Sequence, residues 1–267
     1  MTALHSLRPA VSGLIRNPIL LVITGVFALI QIPQLILQSQ SPLISTVVSL
    51  LMTGVLLIVL PFYQGGIIGM SNEALTDTTR VSSMIEAGKS NYVALLLSYL
   101  AILAVNIVFG VAVALVAVGG GLGFLVGDGQ PNLAVLAVVG LLGLGLLLVY
   151  FLFVISIQFY AHAIVLNNTD VIEGFKRSVR LVRENKLSVT GYTIIMFLGG
   201  AVLGLGSGAA SLVFSPELGV GSTLPEFSLP FVILGLMLYI GIAAVFGAFY
   251  GMYSVSFYQN VSVDQPS

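Results

Sequence analysis

His5 and His162 are the two histidines of a chain that contains no cysteine, so the side chains that most often hold a transition metal are nearly absent. No third ligand stands at zinc-motif spacing from either histidine, and neither a metal nor a cofactor is expected. Thiol redox chemistry and a disulfide framework are excluded for lack of cysteine.

Nucleophilic catalysis fares no better. Gly206-Ser207-Gly208 and a histidine invite comparison with an intramembrane serine protease, but Leu205 stands where the rhomboid pattern would want glycine. Ser207 falls near one end of an apolar run and His162 near the opposite end of another, a depth difference of roughly 20 Å at helical rise. A nucleophile and its base must touch. Gly119-Gly120-Gly121 belongs to neither a Walker loop nor a dinucleotide fingerprint. The spacings Gly65-x-x-x-Gly69, Gly200-x-x-x-Gly204-x-x-x-Gly208 and Gly247-x-x-x-Gly251 instead suit close helix packing. The chain reads as a protein without enzymatic chemistry.

What remains is a small set of neutral polar residues inside apolar runs: Gln31, Gln34, Gln64, Asn106, Gln158 and His162. Gln158 and His162 are four apart and share a helix face. Such groups commonly hydrogen-bond between membrane helices, at about 0.6 kcal/mol each. The alternative gives Asn106, Gln158 and His162 a solute to contact, as in a permease or permease subunit for a small neutral molecule. No Asp, Glu, Lys or Arg falls inside the runs, which argues against a proton relay or a carboxylate cation site.

The elements that must position these residues are set by composition. With 58% hydrophobic and 7% charged residues, far below the roughly 25% charged of a soluble domain, the chain reads as one integral membrane domain over 1–267. Continuously apolar runs exclude the alternating pattern of a barrel. About 20 such residues cross a bilayer, and six segments qualify: 18–37, 43–70, 92–118, 133–166, 188–213 and 230–258. The first ends without a small-x-small cleavage site, so it reads as an anchor rather than a signal peptide. The expectation is an all-α, six-helix polytopic protein.

All nine Lys and Arg residues lie before the first run, between the second and third, or between the fourth and fifth. The loops near 38–42, 127–132 and 214–229 carry only Asp128, Glu217 and Glu226. The positive-inside rule then puts both termini in the cytoplasm of a plasma membrane protein. A net charge of -1 offers no footprint for nucleic acid.

Each odd-numbered run follows a short segment ending in Asn17, Asn91 or Asn185, and the even runs carry Phe62-Tyr63, Phe159-Tyr160 and Phe249-Tyr250 or Phe257-Tyr258. This suggests three helical hairpins, each with a cytoplasmic lead-in. In the third lead-in, Val171, Ile172, Phe175, Val179 and Val182 form an apolar arc at helical spacing, with Lys176, Arg177, Arg180, Arg183 and Lys186 outside it. Asp170 and Glu173 suit its N-terminus. Such a helix is expected to lie on the inner leaflet, its basic side meeting membrane lipid headgroups at roughly 1 kcal/mol per residue or a protein partner. The segment 78–90 is a weaker copy, with Val81, Met84, Ile85 and Gly88 on one face and a Ser83-x-x-Glu86 capping box.

The stretch from Val171 to Arg183, followed by Asn185 and an apolar helix, resembles the segment before a membrane helix in the membrane domain of glycerophosphodiester phosphodiesterases and its stand-alone prokaryotic relatives. In that group hydrolysis belongs to a separate soluble barrel, so the resemblance implies a membrane module and carries over no catalytic residue.

Overall fold

A computed structural model describes residues 2–37, 42–126, 133–214 and 229–263. The side chains of Gln31, Gln34 and Ser207, and the residues Asp128, Glu217 and Glu226, lie outside the described set. Among the described residues the secondary structure is helical: α1 (Thr2–His5), α2 (Leu7–Arg16), α3 (Ile19–Leu37), α4 (Pro42–Thr76), α5 (Val81–Ser90), α6 (Tyr92–Val126), α7 (Leu133–Ile157), α8 (Tyr160–Asn167), α9 (Val171–Glu184), α10 (Lys186–Phe214) and α11 (Leu229–Val263). Four stretches are long and apolar enough to cross a membrane: Thr46–Thr76, Tyr92–Gly121, Leu133–Asn167 and Ile233–Ser262. A fifth is added if α1–α2 and α3, which meet at 88°, count as one span, and α10 contributes a shorter apolar stretch, Lys186–Val202. Their lengths and the apolar side chains exposed along them make this a membrane protein.

The 88° bend resolves the N-terminus into a lead-in helix and an apolar helix meeting at Asn17. The regular i to i−4 hydrogen bonding of α2 ends at Asn17. Its own N–H donates to Leu14 O at 3.1 Å and its side-chain Nδ2 donates to Gly13 O at 2.9 Å, while Leu20 N donates to the Asn17 carbonyl at 3.1 Å. Asn91 repeats the arrangement between α5 and α6, with Nδ2 2.9 Å from Ala87 O and Leu95 N donating to its carbonyl. Asn185 repeats it again between α9 and α10, through Leu181 O and Val189 N. One short side chain thus satisfies the end of one helix while its backbone starts the next.

Each lead-in helix packs against the end of a return helix: α5 on α4 and α9 on α8, which precede them in the chain, and α2 on α11 and α4, which follow it. Small residues make these approaches possible. A Cβ on Gly66 would meet Met84, one on Gly69 would meet Ala87, one on Gly13 would meet Met252 and Ala74 O, and one on Gly174 would meet Ile164. The buried core gathers at this end, around Phe159, Phe257, Tyr253, Tyr258 and Met252. The Phe-Tyr pairs at 159–160 and 257–258 therefore meet, Phe159 and Phe257 stacking at 5.6 Å, while Tyr63 stacks on Phe27 of α3 at 3.9 Å.

Three local expectations are corrected. The run 133–166 is two helices, because the chain turns at Gln158-Phe159 between α7 and α8. The capping box of 78–90 does not form: α5 begins at Val81, so Ser83 lies inside its first turn, and Arg80 at the cap makes no side-chain bond. On α9, Gly174, Ser178 and Leu181 are buried, Phe175 and Val182 of the apolar arc pack partly buried against the core, and Ile172 is exposed. Finally, Gly200 and Gly204 have nothing within reach of an added Cβ, whereas the pairs at Gly65-Gly69 and Gly247-Gly251 do pack against neighbouring helices.

Candidate functional site

The break between α7 and α8 organises the interior. A helix that stops at Ile157 leaves backbone groups unpaired in an apolar setting, a situation that membrane proteins tolerate only when other groups re-satisfy them. Ser178 of α9 does so: its hydroxyl accepts from Phe159 N at 3.0 Å and donates to Ser156 O at 2.8 Å. Restarting at Tyr160, α8 places His162 beside Gln158 although the regular helix has been interrupted between them.

Both side chains line a half-open cavity of about 570 Å³ bounded by α3, α4, α8, α10 and α11. From α3 come Thr24 and Phe27; from α4, Tyr63, Gln64, Ile67 and Ile68; from α10, Tyr192, Met196 and Gly204. Helix α11 adds Tyr239, Tyr250 and Ser254, with Gly247 and Gly251 leaving the space between them. Thr24 Oγ lies 2.8 Å from both Leu20 O and Ala244 O, fastening α3 to α11 beside the cavity.

His162 is 6% exposed, and neither imidazole nitrogen has a hydrogen-bond partner. Rings hold it instead: Tyr258 stacks at 5.5 Å and Phe159 meets it edge-on at 6.0 Å. The Gln158 amide is loosely tied, with the Thr193 hydroxyl 3.4 Å from both of its polar atoms. Gln64 Oε1 accepts from the Tyr160 hydroxyl at the same distance. No carboxylate, lysine or arginine is among the lining residues, and no group of three or more His, Asp or Glu residues that would hold a metal occurs among the described residues.

Asn106 is elsewhere. It is exposed on α6, accepts from the Tyr150 hydroxyl at 2.9 Å, and borders a separate groove of about 740 Å³ between α6 and α7 lined by Phe109, Leu144 and Leu147. The path through Asn106, Gln158 and His162 is therefore not continuous in this structure. Of the tyrosines that complete the cavity, Tyr63 and Tyr250 belong to the Phe-Tyr pairs, whereas Tyr192 and Tyr239 carried no signal in the sequence; α4, α10 and α11 bring the four together from distant positions.

The basic cluster lies on α9 and the start of α10. Lys176, Arg180, Arg183 and Lys186 are exposed, while Arg177 is half-buried beside the Tyr258 hydroxyl. The Asp170 carboxylate accepts from Glu173 N at 2.8 Å, capping α9 as its sequence implied. At the same end of the fold, exposed Arg8 and Arg16 sit on α2, and exposed Arg80 and Lys89 flank or end α5. Arg16 Nη2 also donates to Leu75 O at 3.1 Å.

No curated protein and no solved structure matches the chain. A family model described as a domain of unknown function, DUF7847, matches residues 1–261, nearly the whole of the lead-in helices, long helices and cavity described above, and the chain belongs to that family.

Proposed function

We propose that the chain is a non-enzymatic plasma membrane module of six membrane helices, with both termini cytoplasmic and a collar of three lead-in helices that contacts anionic headgroups of the inner leaflet. The observation that carries this reading is the paired exposure on the collar. Val11 and Ile15 on α2, Val81 and Ile85 on α5 and Ile172 on α9 are exposed apolar side chains, and each helix also presents or adjoins exposed arginine or lysine. A helix with this division sits at the boundary between headgroups and acyl chains. Helices at all six apolar intervals, and nine of nine basic residues on one set of connections, support the span count and orientation. The likeness to the membrane domain of glycerophosphodiester phosphodiesterases is part of the same proposal.

Charge reversal tests it. In nanodiscs of mixed phosphatidylglycerol and phosphatidylcholine, K176E/R180E/R183E is expected to lose retained phosphatidylglycerol in native mass spectrometry while keeping its fold. Unchanged retention would remove headgroup contact and leave a protein partner as the role of this face. Because the chain lacks cysteine, single cysteines placed at Ser12 and Ser262 report sidedness without background, and opposite labelling would overturn the orientation.

A second reading, a permease for a small neutral solute, draws on the cavity at Gln158 and His162. Asn106 no longer belongs to it.

A further inference from the structure

We infer that the cavity beside His162 is a binding site for a neutral amphiphile, a molecule carrying hydroxyl or carbonyl groups on an apolar body. This deepens the second reading by naming a ligand class, and it depends on neither headgroup contact at the collar nor transport.

The argument begins with the imidazole. A neutral histidine offers one donor and one acceptor, and buried polar groups are ordinarily paired. His162 is 94% buried by its 6% exposure, lines the cavity, and has neither nitrogen paired. Its orientation is fixed by Tyr258 and Phe159 rather than by a polar neighbour, so the ring is positioned before any ligand arrives. Gln158 and Gln64, each held only at 3.4 Å, supply further amide donors and acceptors on the same cavity.

The ligand's charge follows from what is missing among the lining residues. With no ionisable carboxylate, ammonium or guanidinium among the described residues that line the cavity, a charged ligand would give up its hydration without compensation. Its apolar portion follows from Phe27, Ile67, Ile68 and Met196 on the walls. A volume of about 570 Å³ falls in the range of sites for drug-sized molecules. The larger groove between α6 and α7 is a poorer candidate, since its polar pair, Asn106 and Tyr150, is already satisfied by mutual hydrogen bonding.

The test uses the fact that the chain has only two histidines. Full-length protein with ¹⁵N-labelled histidine, in phosphatidylcholine nanodiscs, is titrated with monooctanoylglycerol and separately with octanoate. The expected result is a saturable shift of the His162 imidazole signals with the neutral probe, none at His5, and little response to the carboxylate. Gln64→Leu should weaken the midpoint about tenfold, the loss of one hydrogen bond in a dry site, and Tyr150→Phe in the other groove should leave it unchanged. Absence of a His162 shift, an equal shift with octanoate, or an equal shift at His5 would overturn the assignment. The wild-type titration decides the matter even if Gln64→Leu fails to fold.

Discussion

The Ser178 hydroxyl stands 3.0 Å from the Phe159 amide and 2.8 Å from the Ser156 carbonyl, so one side chain on α9 closes the gap between α7 and α8. Ser178 is fully buried, and among the described residues it is the side chain that pairs with both groups. Ser178→Ala should therefore lower stability by about 1–3 kcal/mol, the cost of a buried polar group left unpaired. Thermal denaturation in detergent measures it. The basic face should move with the break, because the same helix carries both.

The three asparagine corners should differ in weight. Asn17 is buried, and beyond its own helix its Nδ2 reaches Ala74 O at 3.3 Å and Asp77 O at 3.2 Å, while its Oδ1 accepts from Thr79 N at 2.8 Å. It thus caps the last turn of α4 as well as the end of α2. Asn185 serves only Leu181 O with its side chain. Asn17→Ala is expected to cost about 2–3 kcal/mol and Asn185→Ala about 1 kcal/mol or less. Equal losses would show that the tie between α2 and α4 contributes nothing.

Glycine substitutions separate packed from open positions. A Cβ at Gly66 would lie 2.5 Å from Met84 Cγ and 2.9 Å from Met84 O, and the backbone oxygen cannot yield without moving α5. Gly66→Ala should destabilise by about 1–3 kcal/mol through overpacking. Gly200 meets nothing, so Gly200→Ala should be neutral or slightly stabilising through helix propensity, by up to about 1 kcal/mol. Melting of the two variants side by side is the check.

Asn168 ends α8 with φ 49° and ψ 40°, and it is the one non-glycine residue with positive φ among the described residues. Asparagine and glycine accept this left-handed conformation at the end of a helix, whereas a β-branched residue does not. Asn168→Gly should be tolerated, and Asn168→Val should cost about 1–2 kcal/mol. If Val were tolerated equally, the turn into α9 would be less constrained than its geometry implies.

Much of the scaffold was legible in the residues because a bilayer imposes a one-dimensional rule. Apolar length located the long helices, and the asparagines at 17, 91 and 185 marked the corners where lead-in helices give way to apolar ones. The Asp170 cap was equally visible, since capping is local to a few residues. Which residues of α9 dock on the protein was not legible in its periodicity. In α9 the protein buries Gly174, Ser178 and Leu181: a close approach to α8 at Ile164 requires a glycine at 174, and Ser178 is bonded into the break between α7 and α8.

The cavity was only half legible. Spacing of four placed Gln158 and His162 on one face, and composition alone showed that no charge would accompany them. Separating Asn106 from them, breaking the fourth run at Gln158-Phe159, and gathering Tyr63, Tyr192, Tyr239 and Tyr250 around the histidine were decided by the tertiary structure. The reason is physical: depth in a membrane is written into hydropathy and chain length, whereas the rotation of each helix about its axis depends on side-chain packing against neighbours far away in sequence.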